Sequence, residues 1–184
     1  MKKISDMVKD FLEETGCPFE QTDDKTDFKI GFGGDNGNFS TLVTVSDGKR
    51  MLEVYTLCPI NVPKPKLPAT AELVARINCN LSLGSFNIDM DDGQITFRTG
   101  VSVGHMDLDN ETLHVLVYGN FLMMDNHFPA IASVAYGEVP PKKAIQFLQD
   151  AKDECTQERE DDSVEEESPS HKRFNGHMGF FSDN

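Results

Sequence analysis

The segment NCNLSLGSFNIDMDDGQITFRTG, running from Asn78 to Gly100, restricts the possible folds of this chain more than any other stretch. Phe86, Ile88 and Met90 alternate with polar residues, and so do Ile95, Phe97, Thr99 and Val101 after them. Alternation of this kind places each set on one face of an extended strand. Asp92-Gly93 stands between the two runs. Asp-Gly favours a hairpin turn, because Gly takes positive φ without steric cost. The segment therefore reads as strands over 85–90 and 94–103 joined by a tight turn. Apolar helical spacing precedes and follows it, and such helices need a sheet to cover. The hairpin is expected at the centre of the core.

Upstream, Ile4, Met7, Val8, Phe11 and Leu12 recur at helical spacing, and Gly16 with Pro18 ends that helix. Phe28, Ile30 and Phe32 then alternate, followed by Phe39, Thr41, Val43 and Val45, and by Leu52, Val54 and Thr56. Gly33-Gly34-Asp35-Asn36-Gly37 and Asp47-Gly48 turn the chain between these runs, which makes a three-stranded antiparallel meander. Pro59, Pro63, Pro65 and Pro68 give a stiff crossover. A second helix follows, with Leu67, Ala71, Val74, Ala75 and Leu81 on one face and Gly84 as its stop. Asn78 interrupts that face, and its amide is suited to capping the Leu83-Gly84 turn.

After the hairpin, Asp109 is a plausible N-cap for a further helix. Val115 to Met124 (VLVYGNFLMM) is apolar nearly all round, broken by Gly119 and Asn120. One sheet covers one stripe of a helix, so a helix apolar on several sides needs a second burial. A second subunit could supply it, which makes Val115, Tyr118, Leu122 and Met123 the candidate dimer or partner surface. Pro129 is expected to kink or restart this helix, and Gly137 to cap it. Pro140-Pro141 open a last short helix.

The fold expected is α+β: a three-stranded meander plus a hairpin in one antiparallel sheet, packed against helices. It occupies residues 1–150. Residues 151–184 read as an acidic, disordered tail, because EREDDSVEEESPSHKRF has dense charge and no apolar period. Its end, FNGHMGFFSDN, carries Phe174, Phe180 and Phe181 and is a candidate docking motif. Preceded by His171, Lys172 and Arg173, it could return to an acidic body as a removable lid over an apolar groove.

Charge narrows the partners. The 184 residues carry a formal charge of −14, of which −9 belongs to the part before residue 155. Such a surface repels nucleic-acid backbone and anionic lipid, so nucleic acid is not expected as a partner. No apolar run approaches the roughly 20 residues that span a bilayer. The first residues carry charges every few positions and show no signal-peptide core. The expectation is a cytoplasmic protein, off the membrane, whose four widely spaced cysteines are free thiols, three of them packed as small apolar groups.

The chemistry-bearing residues suggest no enzyme. Asp89-x-Asp91-Asp92-Gly93 has the look of a calcium loop, but its Gly is one place early and no Glu follows, so it reads as a turn. His105, His114 and His127 lack metalloprotease spacing, and His127 reads as a helix-end residue satisfied by backbone or water. His171 and His177, with Cys155 on the same tail, could hold a metal only weakly. Cys58 and Cys79 have no His or Lys beside them in sequence. No cofactor, metal or catalytic residue is assigned. The alternative kept open is an enzyme or small-molecule sensor using Cys79 or His127 in a pocket between helix and sheet.

Several short pieces carry a family resemblance: Leu57-Cys58-Pro59, Arg76-Ile77-Asn78, Leu83-Gly84-x-Phe86, Asp92-Gly93, Phe97-Arg98, and Phe128-Pro129-Ala130 through Ala135-Tyr136-Gly137. In order and spacing the chain resembles the YbjN family of bacterial proteins over roughly residues 3–150. The resemblance implies a fold similar to class I type III secretion chaperones, which are small, acidic, dimeric α+β proteins that hold other polypeptides. It attaches no catalytic residue and names no partner. The expected role is a non-enzymatic protein-binding module, chaperone-like or regulatory, acting as a homodimer.

Overall fold

The computed structural model describes residues 2–104 and 108–148. His105 and the whole segment 149–184, with Phe174, Phe180 and Phe181, lie outside the described residues. Met1–Gln149 forms one compact unit.

The elements are α1 (Ile4–Glu14), β1 (Phe19–Gln21), β2 (Asp27–Gly33), β3 (Asn38–Ser46) and β4 (Met51–Asn61), then α2 (Leu67–Asn78), β5 (Ser85–Ile88), β6 (Gln94–Ser102) and α3 (Asn110–Ala135). A short 3-10 turn, Lys64–Lys66, leads into α2, and residues 141–148 are helical. All strand pairs are antiparallel, in the order β1-β2-β3-β4-β6-β5. The meander and the hairpin thus form one sheet, joined where β4 meets β6. The fold is α+β.

Register puts the large side chains on one face. Phe28 pairs with Val43, Val43 with Val54 and Val54 with Thr99. Beside them run Thr41, Thr56, Phe97 and Phe86, also in register. The three long helices pack on this face in two apolar groups. One gathers α1 over Phe28, Ile30 and Val54; the other gathers α2 and the later part of α3 over Phe86, Ile95 and Phe97. A buried polar row lies between them. Thr41 and Thr56 share a hydroxyl bond of 2.8 Å. Asn120 donates to the Val54 carbonyl (3.0 Å) and the Thr99 hydroxyl (2.9 Å). Hydrogen bonding of this kind is what permits polar side chains inside a core.

Two turns of the meander serve the helices as well as the strands. Asp47, after β3, accepts the Ile4 and Ser5 amides (2.8 and 3.2 Å) and the Ser5 hydroxyl (2.6 Å). Four amides at any helix start lack intrahelical partners, and Asp47 satisfies two of them from a distant loop. Lys3, at the cap position itself, makes no side-chain cap bond. Asp109 caps α3 by accepting Thr112 N–H at 2.7 Å, as its position suggests.

Several expectations need correction. β1 adds a sixth strand that three residues could not announce. The first hairpin strand stops at Ile88, not Met90, and Met90 is exposed; a five-residue loop replaces the two-residue turn. Within it Asp89 accepts Asp91 N–H and Asp92 accepts Gln94 N–H, both at 2.8 Å. Gly93, at φ +78°, lies so close to the end of β4 that a Cβ would fall 2.2 Å from the Val62 carbonyl. The second helix ends at Asn78, earlier than Gly84, and Asn78 turns its amide onto β5. Gly84 is needed for another reason: a Cβ there would meet Phe97, Thr99 and the Arg98 carbonyl within 2.6–2.8 Å. Pro129 does not restart the last long helix, since α3 runs through it to Ala135.

Candidate protein-binding surface

α3 lies across β3, β4 and β6 and turns Leu113, Leu116, Val117, Phe121 and Met124 inward. Its outer stripe begins at Glu111 and continues through Val115, Gly119 and Leu122. Val115 and Leu122 are about half exposed, at 50% and 48%. A Cβ at Gly119 would meet nothing within 4 Å, so neither local packing nor a positive φ demands glycine there. Glycine inside a helix costs roughly 0.5–1 kcal/mol relative to alanine. Its effect here is a flat place between two exposed aliphatic side chains.

The four residues singled out in this helix do not share one environment. Val115 and Leu122 face outward. Tyr118 is partly buried, its ring against Phe32 (5.3 Å), Phe11 (6.2 Å) and His114 (4.7 Å). Met123 is partly buried and packs against the group under Phe86 and Phe97.

Leu83, 49% exposed on the loop between α2 and β5, extends the apolar surface sideways. With Gly100, Val101, Glu111, Val115 and Leu116 it lines an open trough of about 390 Å³. A second recess of about 340 Å³ shares Leu83, Gly100 and Val101 with it and includes Arg98 and Glu53. Arg98 binds the Glu53 carboxylate and stacks over Tyr55 at 5.5 Å. The Arg98 side-chain bond holds the Glu53 carboxyl below its ordinary range. Leu83 had no signal in the sequence beyond its place before Gly84, because loop exposure is not periodic.

The cysteines and histidines occupy separate places. Cys58 is buried in β4, and burial pushes its thiol up to about 11, away from the nucleophilic thiolate. Cys17 is partly buried, while Cys79 is exposed, contrary to its expected packing role, because α2 ends just before it. It borders a recess with Arg76, Asn80, Lys142, Ile145 and Gln146; His127 is not among the lining residues. His127 is not at a helix end. It is buried inside α3, its Nδ1 at 2.8 Å from the Met123 carbonyl and its ring 5.2 Å from that of Phe86. Among the described residues no group of three or more His, Cys, Asp or Glu could hold a metal ion. No helix among them is long and apolar enough to cross a membrane.

A six-stranded antiparallel sheet with helices on one face and an exposed aliphatic patch is the class defined so far. The chain belongs to the YbjN family, described as "Putative bacterial sensory transduction regulator", whose profile matches residues 5–133. No curated protein matches the chain. Among solved structures it is similar to one from E. coli titled "Crystal structure of YbjN, a putative transcription regulator", at 17% identity and a TM-score of 0.45, covering 71% of this chain and 87% of that one.

Proposed function

We propose that this protein is a non-enzymatic, regulatory protein-binding module of the cytoplasm. It acts as a homodimer and holds a partner polypeptide in a chaperone-like way. The observation that carries this reading is the outer stripe of α3, where Val115 and Leu122 flank a glycine with open space above it. Exposed apolar area of this kind, contiguous with Leu83, marks a surface meant to be covered. The family description, which speaks of regulation, agrees with a regulatory role.

The test is a photo-crosslinking residue placed at position 122 in the full-length chain and activated in the native cell. A homodimer crosslink together with one reproducible partner supports the reading. Crosslinks to neither would overturn it. Turnover of a small molecule, lost on a Cys79→Ser change that leaves folding intact, would favour an enzyme instead.

A further inference from the structure

The edges of the sheet are treated unequally. β5, an outermost strand, has its outer edge closed at Phe86: Asn78 Oδ1 accepts the Phe86 N–H (2.8 Å) and Asn78 Nδ2 donates to the Phe86 carbonyl (2.9 Å). The side chain stands where a neighbouring strand would bond. β1, at the other end, is only three residues long. Short or covered edges are how proteins avoid unwanted strand pairing.

β6 is left open. Its pairing with β5 stops at Ser85–Arg98, while its pairing with β4 continues to Met51–Ser102. Amides along a strand point to alternate sides. Val103 N–H bonds the Arg50 carbonyl, so the odd-numbered residues here face β4. At the hairpin end of the strand the Gln94 carbonyl accepts Asp89 N–H, so the even-numbered residues face β5. Gly100 and Ser102 therefore direct their backbone groups to the side where, among the described residues, no strand pairs with them. Neither proline nor lysine guards this edge. Gly100 adds no side chain to block approach, and exposed Leu83 and Val115 line the same trough as Gly100.

We propose that an extended segment of another protein docks here as an added strand beside Gly100–Ser102, extending β5's line along β6. This rests on the protein-binding reading and specifies its partner. Backbone bonds to Gly100 and Ser102 supply the pairing, and alternate side chains enter the trough. The residues that face the trough, every second one along the segment, are aliphatic and basic in turn. The aliphatic side chains meet Leu83, Val101 and Val115. The basic ones answer Glu111 and a body of net charge −9. Glu53 does not compete for them, since Arg98 already occupies it. Glu111 and Val115 are one helical turn apart, about 6 Å. Side chains two apart on a strand are spaced by about 6.7 Å, so an aliphatic and a basic residue at i and i+2 reach both.

The experiment uses isotope-labelled full-length protein and three capped octapeptides. The first places valine and lysine in turn at every second position with threonine between them, the second is the same peptide with its four central amides N-methylated, and the third replaces each lysine by glutamate. The first is expected to shift the Gly100 and Ser102 amide signals and to slow their hydrogen exchange at least tenfold. The other two should bind at least tenfold more weakly, as should the first to a Val115→Lys variant whose remaining spectrum is unchanged. Equal binding of the methylated peptide, or shifts confined to α3, would overturn strand addition. Absence of binding at millimolar peptide would do the same. If position 122 crosslinks a partner while Gly100 and Ser102 stay unprotected in that complex, the binding module stands and the strand docking falls. If neither occurs, both fall.

Discussion

Asn36 donates twice to Asp125, from its backbone N–H to Oδ1 at 2.9 Å and from its side-chain Nδ2 to the carbonyl oxygen at 3.2 Å. The second bond explains why α3 tolerates Pro129. Proline has no N–H, so the carbonyl four residues earlier loses its helical partner. That carbonyl belongs to Asp125, and Asn36 supplies the missing donor from the loop between β2 and β3. The buried Asp125 carboxylate meanwhile accepts the Asp35 and Asn36 amides, at 3.0 and 2.9 Å.

Gly34 closes that lock. A Cβ there would fall 2.4–2.6 Å from the Asp125 carboxylate atoms, which cannot withdraw without losing two amide bonds. Gly34→Ala is expected to destabilise by about 2–3 kcal/mol, and Asp125→Ala by a similar amount because two amides lose their acceptor. Urea unfolding of both single variants and the double variant should show clear non-additivity. Simple addition would mean that the two residues act independently.

Asn78→Ala should cost about 2 kcal/mol, since it leaves both backbone groups of Phe86 without their present partners. Asn78→Asp should lose most of the same energy, because it keeps the acceptor but not the donor. Faster hydrogen exchange at Phe86 than at Phe97 in the alanine variant would locate the damage at the strand edge. A uniform increase would place it elsewhere.

Asp47 gives a pH dependence. Burial pulls its carboxyl upward, but the Ser5 hydroxyl and the Ser5 and Ile4 amides outweigh that, so it sits below its ordinary 3.8. A depressed carboxyl adds stability above its unfolded value and loses it as pH falls. Asp47→Ala should therefore cost about 1 kcal/mol near neutrality, and the deficit should shrink below about pH 4. An unchanged deficit at pH 3 would remove ionisation from the account.

Among the thiols of the described region, Cys79 should react with iodoacetamide at neutral pH while Cys58 stays unmodified until the protein unfolds. The raised Cys58 thiol also gives a sign. Stability is complete below the ordinary value of 9.0 and declines as pH rises toward about 11, because only the unfolded chain ionises readily there. Mass spectrometry of labelled peptides checks the first statement, and Cys58→Ala, with a weaker alkaline loss than the parent, checks the second.

The homodimer of the proposed function makes a prediction at Gly119. In the subunit alone, Gly119→Ala should stabilise by about 0.5–1 kcal/mol, since the site is open and helical. Gly119→Leu should separate the dimer by occupying the flat place. Light scattering is expected to give twice 20.5 kDa for the parent and about 20.5 kDa for Gly119→Leu. A parent that runs as a monomer at micromolar concentration would sink the dimer.

The sequence by itself determined the sheet and most of its helices. Alternation at Phe28–Phe32, Phe39–Val45, Leu52–Thr56 and Ile95–Val101, with glycine-bearing turns between, is a local signal, and local signals survive without knowledge of neighbours. It also located an unusual apolar helix and the cap at Asp109. Tertiary structure decided the rest, because the groups concerned are brought together only by folding. Asn78 reaches Phe86, Asp47 caps a helix more than forty residues earlier, and Asn36 satisfies a carbonyl that Pro129 orphaned. The open stretch of β6 is likewise invisible in sequence. Among the described residues Gly100 and Ser102 have no strand beside them because β5 begins only at Ser85, and a strand's pairing is set by its partner's length as well as its own residues.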